Sequence, residues 1–312
     1  MAELRETALN FGPSGGLVGI LTRPAVWEED GVSDLAVIII NSGIIHRVGP
    51  NRLHVGLART LASRGTACFR IDLPGIGDSQ PLGTGGSVAQ ESLVGITTAC
   101  DLLELKGVAR RFVLFGLCSG ADYAFMAACA DPRVVGIVMV DPTRLFVTWK
   151  AWAIRVLRWA VRPAAWLRLV RGRYRLLERI QERLRPTDRA PPVAGATSGP
   201  PGATSGPPSD GEVRRLAEEA LKGLVARGVR SYYVITGDQR HRYNYRRQLF
   251  DAFPDLELER LTHVEIFAAA NHTLPRDVDR ARLEATVADW IAASPFPRPM
   301  AVAAGTGSLI PS

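Results

Sequence analysis

A cysteine stands between two glycines in the stretch Phe115-Gly116-Leu117-Cys118-Ser119-Gly120, where an apolar run gives way to a helical pattern. Glycines placed two residues before and two residues after a nucleophile are typical of a nucleophile elbow, a turn too tight for larger side chains. A cysteine at that position can react as a thiolate, which the positive end of the following helix favours. The pattern predicts that Cys118 is a catalytic nucleophile; the alternative is a buried cysteine in a glycine-rich turn.

The elements around this turn alternate between strand and helix. Continuous apolar runs are typical of strands buried on both faces, and strict alternation predicts a mostly parallel sheet with helices on both faces. A hairpin is expected at 7–22, buried strands at 35–40, 67–71, 112–115, 134–140, 229–235 and 256–261, and helices at 51–63, 87–105, 121–130, 245–253 and 278–293.

This order resembles the α/β-hydrolase fold over residues 4–293, apart from one insertion. The elbow, a late histidine at position 272 and the run Asp72-Leu73-Pro74-Gly75-Ile76-Gly77-Asp78-Ser79, which matches the family's D-x-x-G-x-G-x-S turn, carry the resemblance. In that family the nucleophile, the acid and the histidine follow one another along the chain. The resemblance therefore implies a fold with a mostly parallel central sheet, helices on both faces and a helical cap insertion.

The same resemblance implies a catalytic triad of Cys118, His272 and Asp238. His272 lies between the last predicted strand and the last helix, whereas its competitor His263 lies nearer the strand end. Asp238 follows the strand that ends at Ile235, and a carboxylate there would orient the imidazole. Asp141, at the end of the preceding strand, is the reserve acid, and a turn-forming role for Asp238 is the structural alternative.

The stretch Asn41-Ser42-Gly43-Ile44-Ile45-His46 follows the first buried parallel strand. In the family, this loop and the residue after the nucleophile each supply one backbone N–H to an oxyanion. The resemblance thus implies donors from Ile44 or Gly43 together with Ser119. We expect His46 to be a cap or a rim contact.

A closer resemblance concerns Asn41-Ser42-Gly43, His46-Arg47, Gly49-Pro50 and the elbow. These residues are similar to a cysteine-nucleophile subgroup from bacterial export and natural-product gene clusters, which includes enzymes that eliminate acetate from O-acetylated tetronates. It implies an enzyme acting on an ester or thioester of a secondary metabolite, by hydrolysis or acyl transfer through an acyl-cysteine. The alternatives are a lyase that forms an exocyclic alkene from an acetylated tetronate or polyketide, and an inactive carrier-protein-binding module. No cofactor and no metal are expected.

Residues 143–227 interrupt the alternation and are expected to form a lid over a core of residues 1–142 and 228–293. Between 143 and 185 there are twelve arginine or lysine residues, two glutamates and four tryptophans. Tryptophan and arginine at helical spacing can build an apolar roof with a cationic exterior. That exterior could dock an acidic acyl carrier protein or an anionic substrate, could contact an anionic membrane surface, or could simply be solvated.

The linker within the lid, residues 190–211, contains the sequence GATSGPP twice in tandem. Such a composition buries too little apolar surface to offset its ordering entropy, so we expect a disordered and dispensable segment. A helix is expected from Asp210 to Arg227, and the tail 294–312 is expected to be loose.

The composition is that of an ordinary soluble protein of 312 residues, with a net charge of +7 and 46% hydrophobic residues. No signal region and no apolar run long enough for a transmembrane helix is present, and the four cysteines show no metal spacing, so we expect a cytoplasmic protein in a reducing cytosol. No nucleic-acid-binding motif accompanies the basic charge, and nucleic acid is therefore not an expected partner.

Overall fold

The structure is a computed structural model that describes residues 3–25, 35–143 and 210–297. Eight strands form one sheet in the order β1-β2-β4-β3-β5-β6-β7-β8. The β1–β2 and β2–β4 pairs are antiparallel, and all the other pairs are parallel. The mostly parallel sheet that the alternation predicts is therefore confirmed.

The strands are β1 (Leu4–Phe11), β2 (Leu17–Pro24), β3 (Leu35–Ile40), β4 (Ala67–Ile71), β5 (Arg111–Leu117), β6 (Val134–Val140), β7 (Arg230–Thr236) and β8 (Thr262–Phe267). The helices of the described residues are α1 (Leu53–Ser63), α2 (Val88–Leu105), α3 (Ser119–Ala130), α4 (Asp210–Ala226), α5 (Gln248–Ala252) and α6 (Asp277–Ala293). Each predicted helix is present, with ends that differ from the expected ones by at most three residues.

The helices cover both faces of the sheet. Val37 and Ile39 of β3 point to the face covered by α1 and α6, whereas Ile38 and Ile40 point to the face covered by α2, α3 and α4. Successive side chains of a strand alternate between faces, so a central strand needs apolar residues at every position. The continuous apolar runs of β3, β5 and β6 follow from this requirement.

The prediction of a strand at Leu256–Leu261 is wrong. That segment contains a short 3-10 helix at Leu258–Arg260, and the last strand is β8, which begins at Thr262 and pairs with β7. Among the described residues β8 is an edge strand, and it carries polar residues such as His263 and Glu265 on its partly exposed positions. Three of its six residues are apolar, the same number as in the six residues before it, so composition did not distinguish the strand from the turn.

The predicted lid and linker lie mostly outside the described residues, between 144 and 209. Helix α4, which was expected to belong to the lid, packs against the core: Leu221 and Leu224 are buried on the α3 side of the sheet. Residues 294–297 of the expected loose tail are also attached to the core. There the Phe296 ring lies 5.5 Å from that of Trp290, and Arg111 donates to the Phe296 carbonyl at 3.1 Å.

Within the described part of the chain, no helix is long and apolar enough to cross a membrane.

Candidate active site

The turn between β5 and α3 holds Cys118 in a strained conformation. Its φ and ψ angles are 57° and −122°, in a region that costs a non-glycine residue about 1–3 kcal/mol. A Cβ atom at Gly116 would lie 2.1 Å from the carbonyl oxygen of Gly120, and one at Gly120 would lie 2.7 Å from that of Asn41. The two glycines are therefore sterically required, and the turn presents a half-buried Cys118 at the N-terminus of α3.

Cys118 and Asp141 leave adjacent parallel strands at the same edge of the sheet. The last pair in the β5–β6 register is Leu117 with Val140, and each candidate residue directly follows its strand. The backbone N–H of Cys118 also donates to the carbonyl of Val140 at 2.9 Å. Since neighbouring strands lie about 4.8 Å apart, the sheet itself brings the thiol-bearing and carboxylate-bearing residues together.

The side chain of His272 contacts the carboxylate of Asp141. Nδ1 of the imidazole lies 2.8 Å from Oδ2 of Asp141, whose side chain is fully buried. Asp141 also accepts hydrogen bonds from the backbone N–H of Thr236 at 2.8 Å and from its hydroxyl at 2.6 Å. An ionised carboxylate only accepts, so we assign the proton on Nδ1 to this contact, which leaves Nε2 free to act as a base.

Asp238 contacts His272 in a different way. Its Oδ2 accepts the backbone N–H of His272 at 2.8 Å, and its side chain is exposed, unlike that of Asp141. The structure thus brings both predicted acids to His272, with Asp141 at the ring and Asp238 at the main chain. Thr236, which holds Asp141, was missed because a threonine at a strand end carries no distinctive sequence signal.

The two carboxylates also set the protonation of the imidazole. The hydrogen bond that His272 donates to Asp141 raises the pKa of the ring above its ordinary value, burial opposes this rise, and the negative charges of Asp141 and Asp238 add to it. The ring is 28% exposed, so solvent reaches it. The arrangement favours an imidazole that can take up a proton and stay in place while charged.

The loop that carries His272 is tied to the loop that follows β3. The side-chain amide of Asn51 donates to the carbonyl of Thr273 at 2.8 Å, and Leu274 closes a turn by donating to the carbonyl of Asn271 at 3.0 Å. His263, by contrast, lies within β8, where its ring is 5.1 Å from that of Tyr232. Of the two histidines, only His272 therefore faces an acid at the sheet edge.

The residues expected to stabilise an oxyanion form a turn beside the elbow. Ile45 donates to the carbonyl of Ser42 at 2.9 Å, which places Gly43 and Ile44 at the tip of the turn. The N–H of Gly43 donates to the hydroxyl oxygen of Ser119 at 2.9 Å. Among the described residues, the N–H groups of Ile44 and Ser119 have no acceptor and can donate hydrogen bonds to an oxygen atom of a ligand.

The other end of this loop is fixed by an ion-pair cluster. Arg47 donates from its backbone N–H to Asp72 at 2.6 Å and from its guanidinium to both Asp72 and Asp78. Asp72 is completely buried at the end of β4 and also accepts the N–H of Asp78 at 3.1 Å. The Asp72–Ser79 run thus supports the loop beside the elbow. His46, expected to be a cap or a rim contact, accepts the N–H of Gly49 through its backbone carbonyl at 2.9 Å.

Within the described ranges, no group of three or more histidine, cysteine, aspartate or glutamate residues is arranged to hold a metal ion. The residues gathered at the sheet edge are instead a thiol, an imidazole, two carboxylates and free N–H donors. This set suits nucleophilic and acid–base chemistry on a carbonyl group.

Several solved structures have the same overall architecture as this chain. No protein-family model and no curated protein matches the chain. A dienelactone hydrolase from Anabaena variabilis matches with a TM-score of 0.54 at 16% identity, over 95% of this chain and 99% of that one. An esterase from Pyrococcus furiosus matches with a TM-score of 0.52 at 11% identity, over 93% and 92%. The chain has the α/β-hydrolase fold.

A further match at a TM-score of 0.54 and 15% identity is a hypothetical protein from Pseudomonas aeruginosa, over 93% of each chain. At such identities the likeness shows the fold alone. The α/β-hydrolase fold explains why the candidate residues follow β3, β5, β6, β7 and β8: in open parallel sheets, sites form at the carboxyl ends of the strands.

The remaining cysteines of this α/β-hydrolase fold lie away from that edge or deep in the core. Cys68 is buried in β4 and Cys100 is buried in α2, and burial raises the pKa of both thiols. Cys129 is exposed near the far end of α3.

Proposed function

We propose that this protein is an enzyme that attacks carboxylic esters or thioesters with Cys118. His272 serves as the base, Asp141 orients its ring, and the N–H groups of Ile44 and Ser119 receive the oxyanion. The contact between Nδ1 of His272 and Oδ2 of Asp141 carries this proposal, because Asp141 leaves β6 at the same register position at which the strained Cys118 leaves β5.

The geometry supports Asp141 as the acid in place of Asp238. A triad acid must hold one ring nitrogen and remain ionised while the imidazole gains and loses a proton. Asp141 is held by two hydrogen bonds from Thr236 and meets the ring, whereas Asp238 meets the backbone of His272. In this proposal Asp238 positions the histidine loop and adds negative charge near the ring.

The reaction proceeds through an acyl-cysteine. Nε2 of His272 takes the thiol proton, and the sulfur of Cys118 bonds to the carbonyl carbon, so the carbonyl oxygen becomes an oxyanion. The bond to the leaving oxygen or sulfur then breaks, and His272 returns the proton to that atom. Water, deprotonated by His272, attacks the acyl carbon, the carbon–sulfur bond breaks, and the thiol is restored. The oxyanion donors act on both tetrahedral intermediates.

The names of the matched structures agree with this chemistry. One is a dienelactone hydrolase and another an esterase, so both names describe proteins that act on esters. We infer a small-molecule ester or thioester as the substrate, and the resemblance of the Asn41–Pro50 and elbow motifs suggests a secondary metabolite. An acidic acyl carrier protein remains a proposed partner of the arginine-rich segment, which lies outside the described residues.

Elimination is the second candidate reaction, because the elbow holds cysteine and resembles that of the tetronate acetate-eliminating enzymes. There His272 would remove a carbon-bound proton, the electron pair would form the alkene, and acetate would leave with the carbon–oxygen bond electrons. We favour attack on the carbonyl because an acid orients the ring of His272. In addition, among the described residues, the N–H groups of Ile44 and Ser119 beside the nucleophile have no acceptor.

Reaction of an acetylated substrate in ¹⁸O-water separates the two. Hydrolysis through an acyl-cysteine adds one solvent oxygen to the released acetate, whereas elimination releases acetate with both original oxygens. We expect labelled acetate from the wild type and none above background from Cys118→Ala. Unlabelled acetate together with an alkene product would establish elimination and reassign His272 as a carbon-acid base.

A further inference from the structure

The tip of the turn at Ser42–Ile45 is held by few contacts: the Asn41 side-chain amide donates to the Gly43 carbonyl at 3.4 Å, and Ile45 donates to the Ser42 carbonyl at 2.9 Å. Ile44 is 93% exposed, so its side chain provides no packing, and a Cβ at Gly43 would meet no atom within 4 Å. The base of the loop, in contrast, is anchored. Asn41 is buried and accepts the N–H of Leu73 at 3.0 Å, and Arg47 is fixed by Asp72. The position of the tip therefore depends on whatever contacts the tip itself.

Among the described residues, the contact that ties this tip to the elbow is the hydrogen bond from the Gly43 N–H to the hydroxyl oxygen of Ser119. Ser119 is the first residue of α3 and directly follows the nucleophile, so it moves with the elbow. Oxyanion stabilisation depends on donors held in advance at the site of the developing charge, because a donor that must first be ordered loses part of its effect.

We propose that Ser119 is a positioning residue: its hydroxyl holds the N–H of Gly43 and thereby makes Ile44, and not Gly43, the oxyanion donor of the loop. The N–H of Gly43 is engaged by Ser119, whereas the next N–H along the chain, that of Ile44, is free within the described residues. Ser119 thus has two separate roles, since its own N–H is the second donor. This inference rests on the proposed nucleophilic function of Cys118.

The test compares two reactions of the same thiol. Acetylation of Cys118 by p-nitrophenyl acetate develops an oxyanion, whereas alkylation by iodoacetamide displaces iodide and develops none. Both rates are measured on Cys118 in single turnover by mass spectrometry of the protein. The variants are Ser119→Ala and Ser119→Thr. Ser63→Ala is the control, because it removes a serine hydroxyl at the C-terminal end of α1, where that hydroxyl donates to the Thr60 carbonyl at 2.8 Å.

We expect Ser119→Ala to slow acetylation by at least about tenfold, because displacing one oxyanion donor costs a large part of the 10²–10³-fold effect of removing it. Alkylation should stay within about twofold of the wild type, since the thiol and its base are unchanged. Ser119→Thr should restore acetylation, and Ser63→Ala should alter neither rate. Unchanged acetylation in Ser119→Ala, or an equal fall in both rates, would overturn the proposal.

A structural measurement supports the kinetic one. Amide hydrogen exchange should be faster at Gly43 in Ser119→Ala than in the wild type, because the acceptor of its N–H is gone, and Ser119→Thr should restore protection. Equal exchange in the wild type and Ser119→Ala would contradict the tether. Failure of the proposed function gives a different result: wild-type Cys118 would then be acetylated no faster than the exposed Cys129, whatever the residue at 119.

Discussion

The imidazole of His272 and the carboxylate of Asp141 lie 2.8 Å apart, although 131 residues separate them in the chain. Asp141 is held at the end of β6 by Thr236 at the end of β7, and His272 follows β8. Three consecutive parallel strands thus assemble one hydrogen-bonded unit. The carboxylate of Asp238 accepts the backbone N–H of His272 instead. Asp141 therefore orients the ring, whereas Asp238 holds the loop that carries it.

Replacing Asp141 by Asn should reduce kcat on the order of 10³-fold, because the amide no longer stabilises the charged ring or selects the productive tautomer. Asp238→Asn should cost less than about tenfold, since one backbone hydrogen bond of about 1 kcal/mol is weakened. Steady-state kinetics on one ester, with thermal unfolding as a check that both variants fold, measures the difference. The reverse order of effects would make Asp238 the triad acid.

Iodoacetamide should label Cys118 before the other three cysteines. Cys118 is half-buried at the N-terminus of α3 and reachable by solvent, whereas Cys68 and Cys100 are buried and burial raises the pKa of their thiols. Peptide mapping after a short exposure gives the order of labelling, and Cys118→Ala should lose both this label and esterase turnover. Labelling of the exposed Cys129 first, together with an active Cys118→Ala variant, would remove Cys118 from the mechanism.

The contact between His272 and Asp141 should make stability depend on pH. Asp141 raises the pKa of His272 above the ordinary 6.5, so the folded protein binds this proton more tightly than the unfolded chain. The resulting stabilisation is present below pH 6.5 and is lost as the pH rises through the raised pKa. Urea unfolding should therefore show a larger stability difference between wild type and His272→Gln at pH 6 than at pH 9. The effect should shrink in the Asp141→Asn background, where the charge of Asp238 alone still raises the pKa of the ring. A pH-independent difference would argue against the ion pair.

Two glycine substitutions should change the free energy of unfolding in opposite directions. Gly116→Ala would place its Cβ 2.1 Å from the carbonyl oxygen of Gly120, and we expect a loss of about 3 kcal/mol in the free energy of unfolding. Gly223→Ala lies within α4, where an added Cβ meets no atom within 4 Å, and should stabilise the protein by about 0.4–1 kcal/mol. Denaturant titration of both variants measures this. A Gly116→Ala variant as stable as the wild type would show that the elbow does not need glycine.

Much of the architecture could be predicted from the sequence because buried parallel strands have an unambiguous pattern. The runs at 35–40 and 134–140 are apolar at every position, and their predicted bounds match β3 and β6. The edge strand β8 could not be predicted, since its partly exposed side carries His263 and Glu265 and hides the strand among polar residues. The sequence of a partly exposed edge strand is similar to that of a loop, and only its pairing with a neighbouring strand distinguishes the two.

The sequence by itself determined the position and type of the elbow at Cys118, because the steric requirement for glycine at Gly116 arises within the turn, from the backbone of Gly120 and Ala121. The choice between Asp141 and Asp238 as partner of the His272 ring, and between Gly43 and Ile44 as the free donor, was left to the tertiary structure. Both acids follow a strand, and both N–H groups lie in one loop, so their neighbours in sequence do not distinguish them. The distinction arises from the distances between separate strands and loops, which exist only once the sheet has formed.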